Sequence, residues 1–233
     1  MISVIIPAFN SENSLEELVD KIIECITKLK LSFEIIIVDD ASKDTTWFKI
    51  NYLSKKNRFI KGYKFKKNYG QHHAILYGLK KSKGQILITM DDDLQHPPKI
   101  IKHLYEKYKE GNQLVYAKPT NKSRGLVRSI MTFNVKFFLK NFLKIKFIDI
   151  ISDFRLFDRE ILKKFENLNT SNIYLDSLLC LNAEKINSVL YKEQPRKFGK
   201  STYNLKKLII YTLNLVISFY NNPMTPEDIE ETN

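Results

Sequence analysis

A chain of 233 residues with 43% hydrophobic and 12% aromatic content can bury one sizeable α/β core, which excludes an intrinsically disordered protein. The formal charge of +12 favours polyanionic partners (nucleic acid, anionic lipid or phosphorylated substrates) without choosing among them. The two cysteines, Cys25 and Cys180, match no metal-ligand spacing and read as buried free thiols.

In chain order, Ile2-Ser3-Val4-Ile5-Ile6 is an apolar run closed by Pro7 and predicts a buried strand. It carries no basic n-region or cleavage site, so no signal peptide is expected there. Leu15, Leu18, Val19, Ile22, Ile23 and Ile26 share one helical face and predict a helix from Ser14 to Leu29. Glu34–Val38 predicts a second buried strand, ending in Asp39-Asp40, and Ser42 to Asp44 supply turn and cap chemistry for a following helix. Phe59–Phe65 reads as a weaker third strand, Gly70 precedes a helix through Lys81, Gln85–Met90 is a fourth strand, and Pro97-Pro98 start another helix.

Strands alternating with helices predict a mostly parallel central sheet with helices on both faces. Ligands of such sheets bind beyond the carboxyl ends of the strands. Three polar strand ends, Ala8-Phe9-Asn10, Asp39-Asp40 and Asp91-Asp92-Asp93, should therefore meet in one crevice. Side chains alternate along an extended strand end, which points Asp91 and Asp93 into the crevice and Asp92 away from it. Two converging carboxylates call for a cation, and Mg²⁺ or Mn²⁺ suits oxygen ligands shared with substrate phosphates. Read alone, an Asp triplet is more often a solvated acidic turn capping the next helix. The apolar strand before it and Leu94-Gln95-His96-Pro97-Pro98 after it favour the metal site.

Several segments in order resemble glycosyltransferase family 2: Ser3–Asn10, Glu34–Thr45, Asn68-Tyr69-Gly70-Gln71-His72 and Met90–Pro98. Within it, the chain is most similar to the polyprenyl-phosphate branch, over residues 1 to about 222. The resemblance implies an α/β fold of the GT-A, nucleotide-diphospho-sugar transferase type, with a catalytic domain over 1–203. It implies a nucleotide-sugar donor, a UDP-sugar first, and a polyprenyl-phosphate acceptor. Pro7, Ala8, Asp39 and Asp40 are implied to hold base and ribose, with Asn10, Glu12 and Asp92 on the same nucleotide-sugar side. Asp91, Asp93 and Gln95 are implied to bind Mg²⁺ or Mn²⁺ and the diphosphate. Many relatives have Glu directly after the first motif's Asn; here that position is Ser11, with Glu12 as the substitute.

The segment Ser152–Glu160 matches a family stretch in which an acid and an arginine line the acceptor side, making Asp153 the candidate base. The competing reading of Asp153 is a cap for a helix starting near Arg159. Arg196–Tyr203 resembles the branch's basic segment, and Arg196, Lys197 and Arg128 are candidate phosphate ligands against a reading as solvated surface charge. A lipid phosphate is already an oxyanion and needs screening rather than a base, whereas a sugar hydroxyl needs a base.

Residues 126–147 interleave Lys136, Lys140 and Lys144 with Phe133, Phe137, Phe138, Phe142 and Leu143, the pattern of a helix lying on an anionic bilayer; packing on the sheet with a solvated Lys edge is the alternative. Residues 204–222 form a second candidate interfacial helix. No run reaches the roughly 18–20 apolar residues of a membrane span. The acidic residues of 223–233 read as a disordered tail.

The expected placement is cytoplasmic, peripheral on the inner face of the membrane, with a homo-oligomer left open. Alternatives are transfer to a sugar hydroxyl in surface polysaccharide, and a basic nucleic-acid-binding module. No nucleic-acid motif supports the latter, and no nucleic-acid partner is expected. A nicotinamide enzyme is disfavoured because no Gly-rich loop follows the first strand. His72, His73, His96 and His103 form no zinc pattern with the cysteines.

Overall fold

The computed structural model describes residues 1–120, 150–164, 175–194 and 229–231. Its first half alternates strand and helix: β1 (Ile2–Ala8), α1 (Leu15–Thr27), β2 (Phe33–Asp39), α2 (Thr46–Lys56), β3 (Ile60–Phe65), α3 (Gln71–Lys81), β4 (Ile86–Thr89) and α4 (Ile100–Lys109). The strands and helices expected over residues 2–109 are present, with ends shifted by one to three residues. β5 (Leu114–Pro119), β6 (Arg155–Asp158), α5 (Arg159–Lys163), α6 (Leu175–Asn182), β7 (Ile186–Tyr191) and β8 (Ile229–Glu231) follow.

The described strands form one eight-stranded sheet in the order β7-β5-β6-β4-β1-β2-β3-β8. β1 pairs in parallel with both β2 and β4, and β2 with β3, while β6 lies antiparallel between β4 and β5. The chain runs outward from β1 through β2 to β3 and then returns to the other flank of β1 for β4. The carboxyl ends of β1 and β4 are thus a topological switch point, where neighbouring connections part and leave a crevice.

Continuous apolar runs in β1 and β2 follow from helices covering both faces. Ile2, Val4, Ile6, Ile35 and Ile37 pack with Leu18, Ile22, Ile50, Ile101 and Leu104, which places α1, α2 and α4 on one side. Ile5 packs with Ile75, Leu79, Leu178 and Leu179, which places α3 and α6 on the other.

Of the tail expected to lack structure, the described residues Ile229–Glu231 pair antiparallel with the edge of β3, at Tyr63, Lys64 and Phe65. Cys25 and Cys180 are free thiols but only half-buried. Among the described residues no helix is long and apolar enough to cross a membrane. The expected interfacial segments 126–147 and 204–222 lie outside the described residues.

Candidate active site

Three loops leave the carboxyl ends of β1, β2 and β4. Each turns on a non-glycine residue with left-handed backbone: Asn10 (φ 52°), Ala41 (φ 61°) and Leu94 (φ 62°). Such conformations cost roughly 1–3 kcal/mol outside glycine and cluster at functional sites. Asn tolerates the region best; Ala and Leu hold it against their preference.

The β1 and β2 loops are laced together. Asn10 donates its backbone N–H to Ser42 Oγ at 2.9 Å and accepts the Lys43 N–H on its side-chain oxygen at 2.9 Å. Glu12 accepts the backbone N–H and the hydroxyl of Thr45, at 2.9 and 2.6 Å. Glu12 therefore secures the start of α2. Pro7 and Ala8 sit inside β1, opposite Val38 and Asp39, and the Ala8 carbonyl accepts the Asp40 N–H at 2.9 Å.

Asp39 and Asp40 are both buried. Asp39 Oδ1 accepts the Ser42 N–H at 2.9 Å and also the Ser42 hydroxyl. Its Oδ2 is buried without a partner among the described residues. Burial raises the Asp39 pKa, only partly offset by Ser42. Asp40 accepts the N–H groups of Tyr69 at 2.7 Å and Gly70 at 2.8 Å. Burial nevertheless pushes its pKa up to about 6. Gly70, at φ 92° and ψ 155°, presents that N–H from a backbone conformation reserved almost wholly for glycine.

The acidic triplet differs from expectation in one respect. β4 ends at Thr89, so Asp91–Asp93 lie past the strand, where strand alternation no longer applies. Asp92 does not point away: its Oδ2 accepts the Phe9 N–H at 3.1 Å across the switch point. Burial, with Asp91 and Asp93 adding repulsion, pushes the Asp92 pKa up to about 7. Asp91 accepts Gln71 Nε2 on Oδ1 at 2.7 Å and faces His96 Nε2 with Oδ2 at 3.2 Å. Asp93 Oδ1 accepts the Gln95 N–H at 3.0 Å.

The antiparallel register of β6 carries Asp153 to this same edge. Arg155 lies opposite Thr89, and Thr89 Oγ1 donates to the Asp153 carbonyl at 2.8 Å. The helix-cap reading of Asp153 is overturned, because Asp158 caps α5 by accepting the Glu160 N–H at 3.0 Å. Asp153 is exposed to solvent. Partial desolvation, with Asp91 nearby, pushes its pKa up to about 6. Beneath it Arg155, 2% exposed, pairs with Asp176 of α6, and Tyr116 of β5 donates to the same carboxylate at 2.9 Å.

Asp91, Asp92, Asp93 and Asp153 thus gather at one sheet edge, and a divalent cation would relieve their mutual repulsion. Among the described residues, no group of three or more His, Cys, Asp or Glu side chains could hold a metal by itself. A cation bound here would need substrate phosphate oxygens to complete its ligands.

The profile of glycosyl transferase family 2 matches residues 3–165. The chain belongs to that family. This glycosyltransferase is 33% identical over 226 residues to an uncharacterized glycosyltransferase of Synechocystis, covering 96% of this chain and 70% of that protein. It is 28% identical to the undecaprenyl-phosphate 4-deoxy-4-formamido-L-arabinose transferase of Pectobacterium atrosepticum, covering 96% and 68%. Its fold is similar to that of glucosyl-3-phosphoglycerate synthase from Mycobacterium tuberculosis, crystallised with Mn²⁺, UDP and glucosyl-3-phosphoglycerate. The TM-score is 0.65 at 20% identity, over 94% of this chain and 78% of that one. The fold is GT-A, as the motifs implied.

In this glycosyltransferase Pro7, Ala8, Asn10, Glu12, Asp39, Asp40, Asp91, Asp92, Asp93, Gln95 and Asp153 all lie at or beside the carboxyl edge of the sheet. Arg128, Arg196 and Lys197 lie outside the described residues. Sequence reasoning missed Gln71 and His96 as partners of Asp91. Both stand inside the motifs quoted for the family, but a search for metal-ligand spacing cannot find residues that act by hydrogen bonding.

Proposed function

We propose that this glycosyltransferase moves a sugar from a nucleotide-diphospho-sugar, first a UDP-sugar, to a polyprenyl phosphate at the cytoplasmic face of a membrane. The unpartnered, buried Oδ2 of Asp39 carries the donor half of this reading. A buried carboxylate oxygen with no donor is costly, and a nucleoside N–H or ribose hydroxyl would satisfy it. Asp40 holds the Tyr69–Gly70 turn beside it. The acceptor half is supported by the activity named for the Pectobacterium relative.

Asp91, Asp93 and Gln95 would hold Mg²⁺ or Mn²⁺ against the donor diphosphate, and the cation supplies charge neutralisation of the leaving group. An acceptor phosphate oxygen forms the new bond to the anomeric carbon on the face opposite the diphosphate. The bond from that carbon to the diphosphate breaks, and its electron pair leaves with the nucleoside diphosphate, so configuration inverts. Arg128, Arg196 and Lys197 would screen the two anions during approach. Asp153 would orient the acceptor.

A second reading draws on one observation. A water-accessible carboxyl raised to about 6 suits a general base, as a sugar-hydroxyl acceptor would require. The donor half is tested by thermal unfolding with UDP, GDP, CDP and dTDP, each with and without Mn²⁺. Metal-dependent stabilisation by UDP above the others is expected, and Asp91→Ala should abolish it. No stabilisation by any of the four would sink the donor reading.

A further inference from the structure

Protein side chains grip both oxygens of the Asp91 carboxylate. Gln71, the first residue of α3, donates to Oδ1 at 2.7 Å. His96 sits 3.2 Å from Oδ2 through Nε2. The imidazole is itself fixed from behind: its Nδ1 meets the hydroxyl of Tyr191, and its ring lies 5.5 Å from that of Phe154. His96 and Tyr191 are both buried, with 9% and 4% exposure. Burial and the surrounding carboxylates raise the Tyr191 pKa, so its hydroxyl stays a donor.

The contact with Asp91 requires a proton on Nε2, and the Tyr191 hydroxyl meets Nδ1 whether it donates to a neutral ring or accepts from a charged one. A second link runs alongside. Gln194 donates its N–H to the Gln95 carbonyl at 3.1 Å. The loop after β4 is thus fastened twice to the end of β7, two residues before Arg196 in the sequence. Nothing in the packing alone demands a histidine here, since an apolar ring would fill the space between Phe154 and Tyr191. The polar chain is needed only if the orientation of the Asp91 carboxylate matters.

We propose that His96, held by Tyr191, is a positioning residue that fixes the Asp91 carboxylate for donor and cation binding, with Gln71 as the opposing jaw. The inference rests on the donor reading given above. Hydrogen-bond partners behind metal-binding carboxylates typically change metal affinity about 10- to 100-fold when removed. Neither the histidine nor the tyrosine touches the substrate in this scheme; both act through Asp91.

The test is calorimetric titration of the full-length chain with UDP at fixed MnCl₂, with unfolding temperatures recorded alongside. His96→Asn keeps a polar group toward Tyr191 but withdraws the one that reaches Asp91; UDP affinity should fall about 10-fold or more. His96→Gln can place its amide nitrogen near the Nε2 position, and should recover most of the loss. Tyr191→Phe should cost about 5-fold, the worth of one hydrogen bond. In an Asp91→Asn background, His96→Asn should add nothing further, because the two residues act as one unit. Wild-type protein that binds no UDP would overturn the donor reading and this inference with it. Wild-type binding together with unaltered binding by His96→Asn overturns the inference alone. So does a His96→Gln variant as weak as His96→Asn, or a full His96→Asn effect in the Asp91→Asn background.

Discussion

Asp92 Oδ2 and the backbone N–H of Phe9 are hydrogen-bonded at 3.1 Å, 83 positions apart in the chain. The bond spans the switch point and fastens the loop after β4 to the loop after β1. A connection at that place keeps the crevice from widening, at the cost of a carboxylate among other carboxylates.

Asp92→Asn retains an oxygen that can accept the Phe9 N–H, whereas Asp92→Ala does not. In isothermal titration with UDP and MnCl₂, Asp92→Asn should bind within a few-fold of wild type, and Asp92→Ala about 5-fold more weakly, the loss of one hydrogen bond. The Phe9 N–H is exposed, so water replaces its partner and the unfolding temperature should move little. Equal binding by both variants would show that the tie does not shape the site.

The first half of the fold was legible because β1, β2 and α1 carry strong, uniform patterns: Ile2–Ile6 and Ile35–Val38 are apolar on both faces, and Leu15 to Ile26 keeps helical spacing. β5, β6 and β7 were not. β6 is the four-residue run Arg155-Leu156-Phe157-Asp158, too short for a clear apolar signal, and nothing local shows that its arginine is buried against Asp176, 21 residues on. β7 at the sheet margin carries Asn187 and Ser188 and is mostly half-buried, so its apolar signal is diluted. At the site, the residue types were legible but one direction was not. Whether Asp92 faces in or out depends on β4 ending at Thr89 and on the left-handed Leu94, neither of which the side-chain pattern records.

Two glycines separate stability from binding. At the opposite end of the sheet a Cβ on Gly84 would lie 2.6 Å from Ser3 N and Oγ. Ser3 Oγ accepts the Gly84 N–H at 2.7 Å and donates to Glu34 at 2.7 Å, and Lys61 pairs with Glu34 at 2.8 Å. Gly84→Ala should destabilise by about 1–3 kcal/mol through backbone shifts, with UDP affinity unchanged. Gly70→Ala meets nothing within 4 Å, but its φ of +92° is strained for alanine. It should cost about 1–3 kcal/mol as well, and it should also weaken UDP binding because the Gly70 N–H holds Asp40. Chemical denaturation and titration on the same samples distinguish the two.

Asp40 sets a pH dependence with a defined sign. Its carboxyl is pushed up to about 6 from an ordinary 3.8, so the folded chain holds this proton more tightly than the unfolded chain. The stabilisation is fully present below about pH 4, declines as pH rises, and is lost above about pH 6. Asp40→Asn removes the titration while keeping one acceptor for the Tyr69–Gly70 turn. Between pH 4 and 6 its unfolding temperature should therefore fall less steeply than that of wild type. Parallel curves would place the proton elsewhere.

Asp153 distinguishes the acceptor. Its carbonyl is anchored by Thr89 and its carboxyl lies near Asp91, His96 and Arg155, so Asp153→Asn changes charge with little change in shape. If the acceptor is a phosphate, no proton has to be removed, and turnover should fall less than about 10-fold; a hydroxyl acceptor would lose about 10²- to 10⁴-fold, the usual worth of a general base. UDP affinity should stay within a few-fold of wild type in either case, which separates a loss of chemistry from a loss of donor. The pH profile gives an independent reading. A base raised to about 6 makes turnover climb through pH 6 and level off above it. A phosphate acceptor with its own second pKa near ~6 gives a similar rise in wild type, but in that case the rise survives in Asp153→Asn. A modest loss with a persistent pH rise in the variant is the outcome expected for the proposed polyprenyl-phosphate acceptor; near-complete loss with a flat profile would assign the reaction to a sugar hydroxyl.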